Sequence, residues 1–150
     1  MSTIILRFLH VVISGLLAGI LLAISLGYNP KNLSATTYIE QQQNAIRALN
    51  TLMPLIGLVT IILTLVSASM QKDNKAVFAI LLIAAILLVT GALVTRLGNQ
   101  PINKIVMTWN AADPPNNWPE LRDKWWSLHM IRTTTSLIAF LLIAWTAQKN

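Results

Sequence analysis

The residues able to do chemistry gather near the end of the chain. Trp125, His129, Arg132, Thr133 and Ser136 recur at i, i+4, i+7, i+8 and i+11, which puts them on one face of a helix. The other faces of that stretch are Leu, Ile, Met and Phe. An imidazole one turn from a guanidinium can take a proton and hold the anion left behind. An arginine about two turns inside a bilayer costs several kcal/mol unless it faces a protein interior with partners. The stripe must therefore turn inward, and His129 follows Arg132. Partners at the same depth are Glu40, Gln43 or Asn44, Arg96, Asn99 and Asn103. Glu40, Gln43 (or Asn44) and Arg47 share one helix face. That face is either a solvated amphipathic surface or one that turns into the bundle mouth and supplies a carboxylate. A buried Glu40–Arg132 pair could equally be a structural tie between helix ends. Trp109, Trp118, Trp125 and Trp126 offer an aromatic wall, although tryptophan at a membrane interface also serves as an anchor.

The elements that must position these groups are apolar blocks. The 150 residues are 55% hydrophobic and 11% charged, against about a quarter charged in soluble domains; mean hydropathy is +0.62. The pattern predicts an all-α, antiparallel four-helix transmembrane bundle forming a single domain over 1–150. Its spans are expected at about 4–26, 52–70, 76–94 and 125–145, each long enough to cross ~30 Å of hydrocarbon. The first block reads as a retained span, since its apolar core exceeds the ~7–15 residues of a signal peptide. Gly15 and Gly19 form a G-x-x-x-G that allows close helix approach and a homodimer. Pro54 either falls in the first turn of span two or kinks a helix continuing from Thr37. Between spans three and four lies a long loop with a short helix, for which Asn99 is the expected cap and Pro101 part of the first turn. Pro119 starts the last helix.

Charge and composition exclude several classes. A net charge of +6 and pI near 10.2 are carried by single cations beside apolar spans, a pattern that suits lipid headgroups and topology rather than nucleic acid. The absence of cysteine removes disulfides, thiolate metal sites and quinone-linked thiol oxidation. His10 lies roughly 9 Å below the terminal face and His129 about 7 Å below the other, at ~1.5 Å per residue. One haem or one metal does not easily join them, and His10 reads as a hydrogen-bonded interior histidine. No carboxylate sits mid-span in spans one, three or four, as a small exporter would need. Lys72, Lys75 and Lys149 on short connections favour cytoplasmic termini in a bacterial inner or plasma membrane.

Several motifs resemble the anthrone oxygenase-like membrane proteins of the DUF1772 family. They are N-x-P-x-N at Asn99–Asn103, Trp109, W-x-x-L-R-x-x-W from Trp118 to Trp125, and H-x-x-R-T from His129 to Thr133. G-L-L-A-G at 15–19 and Met53-Pro54 after a glutamine-rich run also fit. The resemblance implies a four-helix membrane bundle whose fungal members oxidise polyketide anthrones to anthraquinones. On these residues the expected chemistry is loss of an acidic C–H proton to His129, aided by Glu40. Arg132, Asn99 and Asn103 would then hold the enolate, and dioxygen would react with the carbanion without a cofactor. Trp109, Trp125 and Gln43 complete the expected substrate site, for a hydrophobic polycyclic or quinone-like molecule drawn from membrane lipid. His129 and Glu40 as partial metal ligands form a thin alternative set. A non-catalytic scaffold, or a protein that binds a lipid, quinone or other hydrophobic ligand, is the remaining alternative.

Overall fold

The computed structural model describes residues 2–148, with side chains from residue 4 onward. Lys149, one of the topology markers, lies outside the described residues. The helices are α1 (Ser2–Gly27), α2 (Ala35–Leu49), α3 (Leu52–Ser69), α4 (Lys75–Val94), α5 (Gln100–Val106) and α6 (Trp118–Ala147). No strand occurs among the described residues. Four helices are long and apolar enough to cross a membrane, beginning at Ile4, Leu52, Lys75 and Trp118. They form an up-down-up-down ring in which α1 packs on α3 and α6, and α4 packs on α3 and α6.

Polarity is arranged as lipid demands. Leu16, Ile62, Ile83, Ile86, Ile138 and Leu141 face outward, while His10, Ser14, Thr60, Thr64 and Ser136 are buried. Interior hydroxyls donate to carbonyls of the preceding turn, as Thr60 does to Ile56 at 2.8 Å and Thr64 to Thr60 at 2.7 Å. These two hydroxyls thus keep an acceptor where water is absent. This is the surface and interior of an integral membrane protein. His10 ties α1 to α3, with Nε2 2.8 Å from Thr64 Oγ1 and Nδ1 3.1 Å from Ser67 Oγ. It is the interior histidine the sequence indicated, at the end of the bundle away from His129.

Glycines set the closest helix contacts. A Cβ at Gly15 would come within 3.1 Å of Phe140 on α6, whereas one at Gly19 would meet nothing within 4 Å. The G-x-x-x-G pair therefore does not form one outward face: Gly15 packs within the chain. A Cβ at Gly91 on α4 would lie 3.1 Å from Thr135 Oγ1, and one at Gly98, just beyond α4, would lie 2.7 Å from a Leu128 methyl. These two positions, seven apart, let α4 and the turn after it lie close against α6 beside its polar stripe.

Around Pro101 the structure departs from the sequence reading. α4 does not stop; it runs through a π turn (Thr95–Asn99) into α5. The Gln100 N–H bonds the Thr95 carbonyl five residues back. An ordinary α turn would push the Pro101 ring into a carbonyl and break the helix; the wider turn takes up that misfit. Asn99 consequently has helical backbone angles and makes no side-chain cap bond. Pro54 sits in the first turn of α3 because α2 ends at Leu49.

Candidate functional site

The stripe on α6 faces inward, with Trp125, His129, Thr133 and Ser136 all buried. The His129 ring stacks on Trp125 at 5.2 Å with planes 6° apart, and on Trp126 at 5.5 Å. Arg132 Nε and Nη2 lie 3.1 and 3.0 Å from His129 Nδ1. A guanidinium can only donate, so Nδ1 carries a lone pair and Nε2 the proton. Nε2 lies 3.0 Å from Ser25 Oγ, whose hydroxyl donates to the Leu21 carbonyl at 3.0 Å. The result is a neutral imidazole, fixed in tautomer from both sides and 0% exposed.

Arg132 is the group that meets open space. It lines a cavity of about 270 Å³ under α2 and a second of about 230 Å³ between α3 and α4. Leu21, Met53, Pro54, Thr95 and Arg132 belong to both walls, so the two adjoin at Arg132 as an upper and a lower lobe. Separately each is smaller than the ~300–1,000 Å³ of ordinary small-molecule sites, and together they reach that range. The Arg132 guanidinium lies 5.6 Å from the Trp125 ring centre. Among the described residues its protein hydrogen-bond partner is His129 alone. The ion pair found there is Arg122–Asp123 at 2.9 Å, and no carboxylate approaches Arg132. A desolvated cation with a neutral partner attracts an anionic or strongly polar oxygen.

A polar network forms the roof of the upper lobe. Asn103 Oδ1 accepts from Trp125 Nε1 at 2.9 Å and from Gln42 Nε2 at 3.5 Å, while its Nδ2 donates to Asn50 Oδ1 at 2.9 Å. Tyr28 donates to Gln42 Oε1 at 3.3 Å. Above them Tyr38 is fully buried against Trp118, its ring centre 5.8 Å away. Burial, with Tyr28 nearby, pushes the Tyr38 phenol above its ordinary range, so it remains neutral.

The expected site residues separate into three positions. Arg132, Asn103 and Trp125 line the cavity. His129 stands directly behind Arg132 and is absent from the wall. Asn99 is buried, donates to the Trp125 carbonyl at 3.1 Å, and leaves its Oδ1 without a partner. It supports Trp125 rather than facing a substrate. Two further expectations are corrected. Gln43 donates to the Val106 and Trp109 carbonyls at 3.0 and 2.9 Å, clamping the end of α5. Trp109 packs with Ile46, Ile102, Val106 and Trp125 in a side cluster rather than on the cavity wall.

Glu40 is the third correction. It is exposed, and the Glu40–Arg132 pair does not form. Tyr38, Ile39, Gln42 and Ile46 are the buried residues of α2. Their greater apolar area wins the inward face, and Glu40, about 200° round the helix from Tyr38 at 3.6 residues per turn, is turned outward. The joint His129/Glu40 metal set therefore lacks its carboxylate. Among the described residues no cluster of three or more His, Cys, Asp or Glu could hold a metal.

Sequence reasoning missed Gln42, Asn50, Tyr28, Ser25 and Thr95. Tyr38, Gln42 and Ile46 repeat every fourth residue, a signal for the inward face that the glutamine run obscured. Ser25 and Tyr28 were also legible as polar groups at the His129 end of α1.

A family model described as anthrone oxygenase matches residues 43–142, two thirds of the chain, from α2 through most of α6. No curated protein and no solved structure matches the chain.

Proposed function

We propose, on the premise that this chain belongs to the anthrone oxygenase family, that it oxidises a hydrophobic hydroxylated polycyclic ketone with dioxygen in the cavity beside Arg132. The single observation that carries this reading is Arg132 itself. It is a guanidinium at membrane depth, open to a cavity, with a neutral imidazole as its protein partner. A fixed cation of that kind stabilises an enolate or phenolate oxygen far more than water does.

In the proposed sequence the substrate carbonyl oxygen seats against Arg132, which transfers its N–H groups from His129 Nδ1 to that oxygen. That shift of Arg132 must also uncover Nδ1 to the cavity, and its freed lone pair then takes the proton from the ring CH2 flanked by aromatic rings. Ser25 holds the opposite nitrogen protonated, so the tautomer is correct for this step. The resulting carbanion transfers one electron to dioxygen. The radical pair combines to form a C–O bond, and the imidazolium returns its proton to the peroxide. Loss of the second C–H proton with cleavage of O–O gives the new carbonyl and water. Overall, CH2 and O2 become C=O and H2O, with no external reductant. Trp125 supplies a flat wall, and Asn103 fixes that ring through Nε1.

The test is oxygen uptake by protein in lipid vesicles given a dihydroxyanthrone. The expected result is one anthraquinone formed per dioxygen consumed, with turnover reduced about 10²–10³-fold in Arg132→Met, the usual cost of removing an oxyanion donor. Equal turnover in Arg132→Met removes the assignment. The closed position of His129, with both nitrogens engaged, favours one other reading, a protein that binds such a ligand without turning it over. Saturable binding without oxygen uptake would select it.

A further inference from the structure

We infer that the molecule held at Arg132 is an amphiphile, with a polar ring head in the upper lobe and an aliphatic chain in the lower lobe. This rests on Arg132 being the anchor for the head, and it names the ligand class that the proposed reaction leaves open. Both lobes are mostly apolar, and they differ in where their polar side chains fall. The upper one is bordered by Tyr28, Gln42, Asn50 and Asn103. The lower one is walled in its deep part by Leu17, Gly57, Leu58, Ile61, Leu88 and Ala92. Its polar groups other than Ser136 lie at the upper end, where Arg96 donates to Gln100 at 3.0 Å. From Arg96 to Leu88 the α4 wall descends roughly 12 Å at ~1.5 Å per residue, which suits an extended alkyl chain.

The lower lobe also opens sideways. Leu58 on α3 is 54% exposed and Ala92 on α4 is exposed, although both line it. Gly57 creates part of the space, since a Cβ there would meet nothing within 4 Å. An apolar hollow at that depth does not hold water readily, and its open side borders lipid tails. A chain can therefore slide in between α3 and α4 while its head comes to rest at Arg132. Lipid is as apolar as the lobe, so the chain adds orientation and an access route rather than hydrophobic affinity.

Two sources could supply an aliphatic chain here: the ligand's own tail or the acyl chain of a membrane lipid. The experiment uses full-length protein in nanodiscs and two photoreactive probes, a dihydroxyanthrone carrying a decyl chain with a terminal diazirine, and a phosphatidylcholine with a diazirine on its acyl chain. Adducts are mapped by peptide mass spectrometry. The anthrone probe is expected to label the 57–61 and 88–92 segments, with tailless dihydroxyanthrone competing it away. In Gly57→Phe, and independently in Ala92→Phe on the facing helix, that labelling should fall to the level seen at lipid-facing Ile62. The lipid probe should label the lobe no more than it labels Ile62. If tailless compound competes but the adducts lie outside the lobe, or persist in both plugged variants, the tail assignment is overturned and the Arg132 site stands. Equal labelling of the lobe by the lipid probe overturns it in favour of a lipid chain. Failure of the tailless compound to compete overturns both.

Discussion

Removing the imidazole should harm the fold more than removing the guanidinium, and removing both should be better than removing the imidazole alone. In His129→Phe the new ring can occupy the slot beside Trp125 and Trp126, but Arg132 loses the acceptor of its bonds at 3.0 and 3.1 Å. Taking one partner from a buried charged pair costs about 3–5 kcal/mol, and because Arg132 also opens on the cavity the lower end, about 3 kcal/mol, applies. In Arg132→Met the desolvation of an unpaired cation is relieved by several kcal/mol. A charged hydrogen bond worth ~1.5–3 kcal/mol disappears, and Nδ1 is left unsatisfied at ~1–3 kcal/mol. These terms nearly cancel, so the change should stay within about 1–2 kcal/mol. The double variant removes both the stranded cation and the stranded acceptor, and should recover most of what His129→Phe loses. Reversible unfolding in mixed micelles by SDS titration measures all four proteins. A double variant no more stable than His129→Phe refutes the reasoning, because Arg132 would then have another counter-charge. A purely structural pair predicts instead that each single change costs about the same.

Further outcomes follow from the same geometry. Glu40→Gln should leave turnover unchanged and stability within about 0.5 kcal/mol, as for other exposed substitutions, checked by oxygen uptake and SDS titration; a large loss of activity would return the carboxylate to the site. Asn103→Leu breaks the bonds to Trp125, Gln42 and Asn50, so a loss of roughly 1–3 kcal/mol should accompany freer Trp125 emission in fluorescence anisotropy. Because the chain has no cysteine, single-cysteine labelling can read topology directly. Asp73→Cys is expected to label from the cytoplasmic side and Glu120→Cys from the other, and the reverse pattern would invert the assignment.

The sequence made the spans legible because a bilayer imposes a length and a composition on each. It also revealed the inward stripe of α6, since Arg132 has few tolerable directions in lipid. Pro101 was harder. A proline two residues after an asparagine looks like a helix start, and only the register change at Thr95–Asn99 shows that the helix continues. The sequence left the Glu40 face of α2 open between solvent and the bundle mouth, and the structure gives it to solvent; three adjacent glutamines hide that Gln42 is the buried one and Gln43 only partly so. His129 could be placed at the right depth but not behind Arg132, since which side chain reaches open space depends on how far Met53, Pro54 and Thr95 stand back from it. The lower lobe was invisible for a similar reason: Gly57 matters through what its neighbours leave empty.

The most direct test of Arg132 as an oxyanion site is the ionisation of a bound ligand. A dihydroxyanthrone changes its absorbance when it loses a proton, so its titration can be followed inside protein-loaded nanodiscs. A guanidinium at hydrogen-bond distance favours the anion, and an opposite charge so close lowers an acid's pKa by about 1–3 units. The ligand is expected to ionise at lower pH in the wild type than in Arg132→Met, by a shift of that size. Coincident titration curves in the two proteins, with binding retained in both, would contradict it.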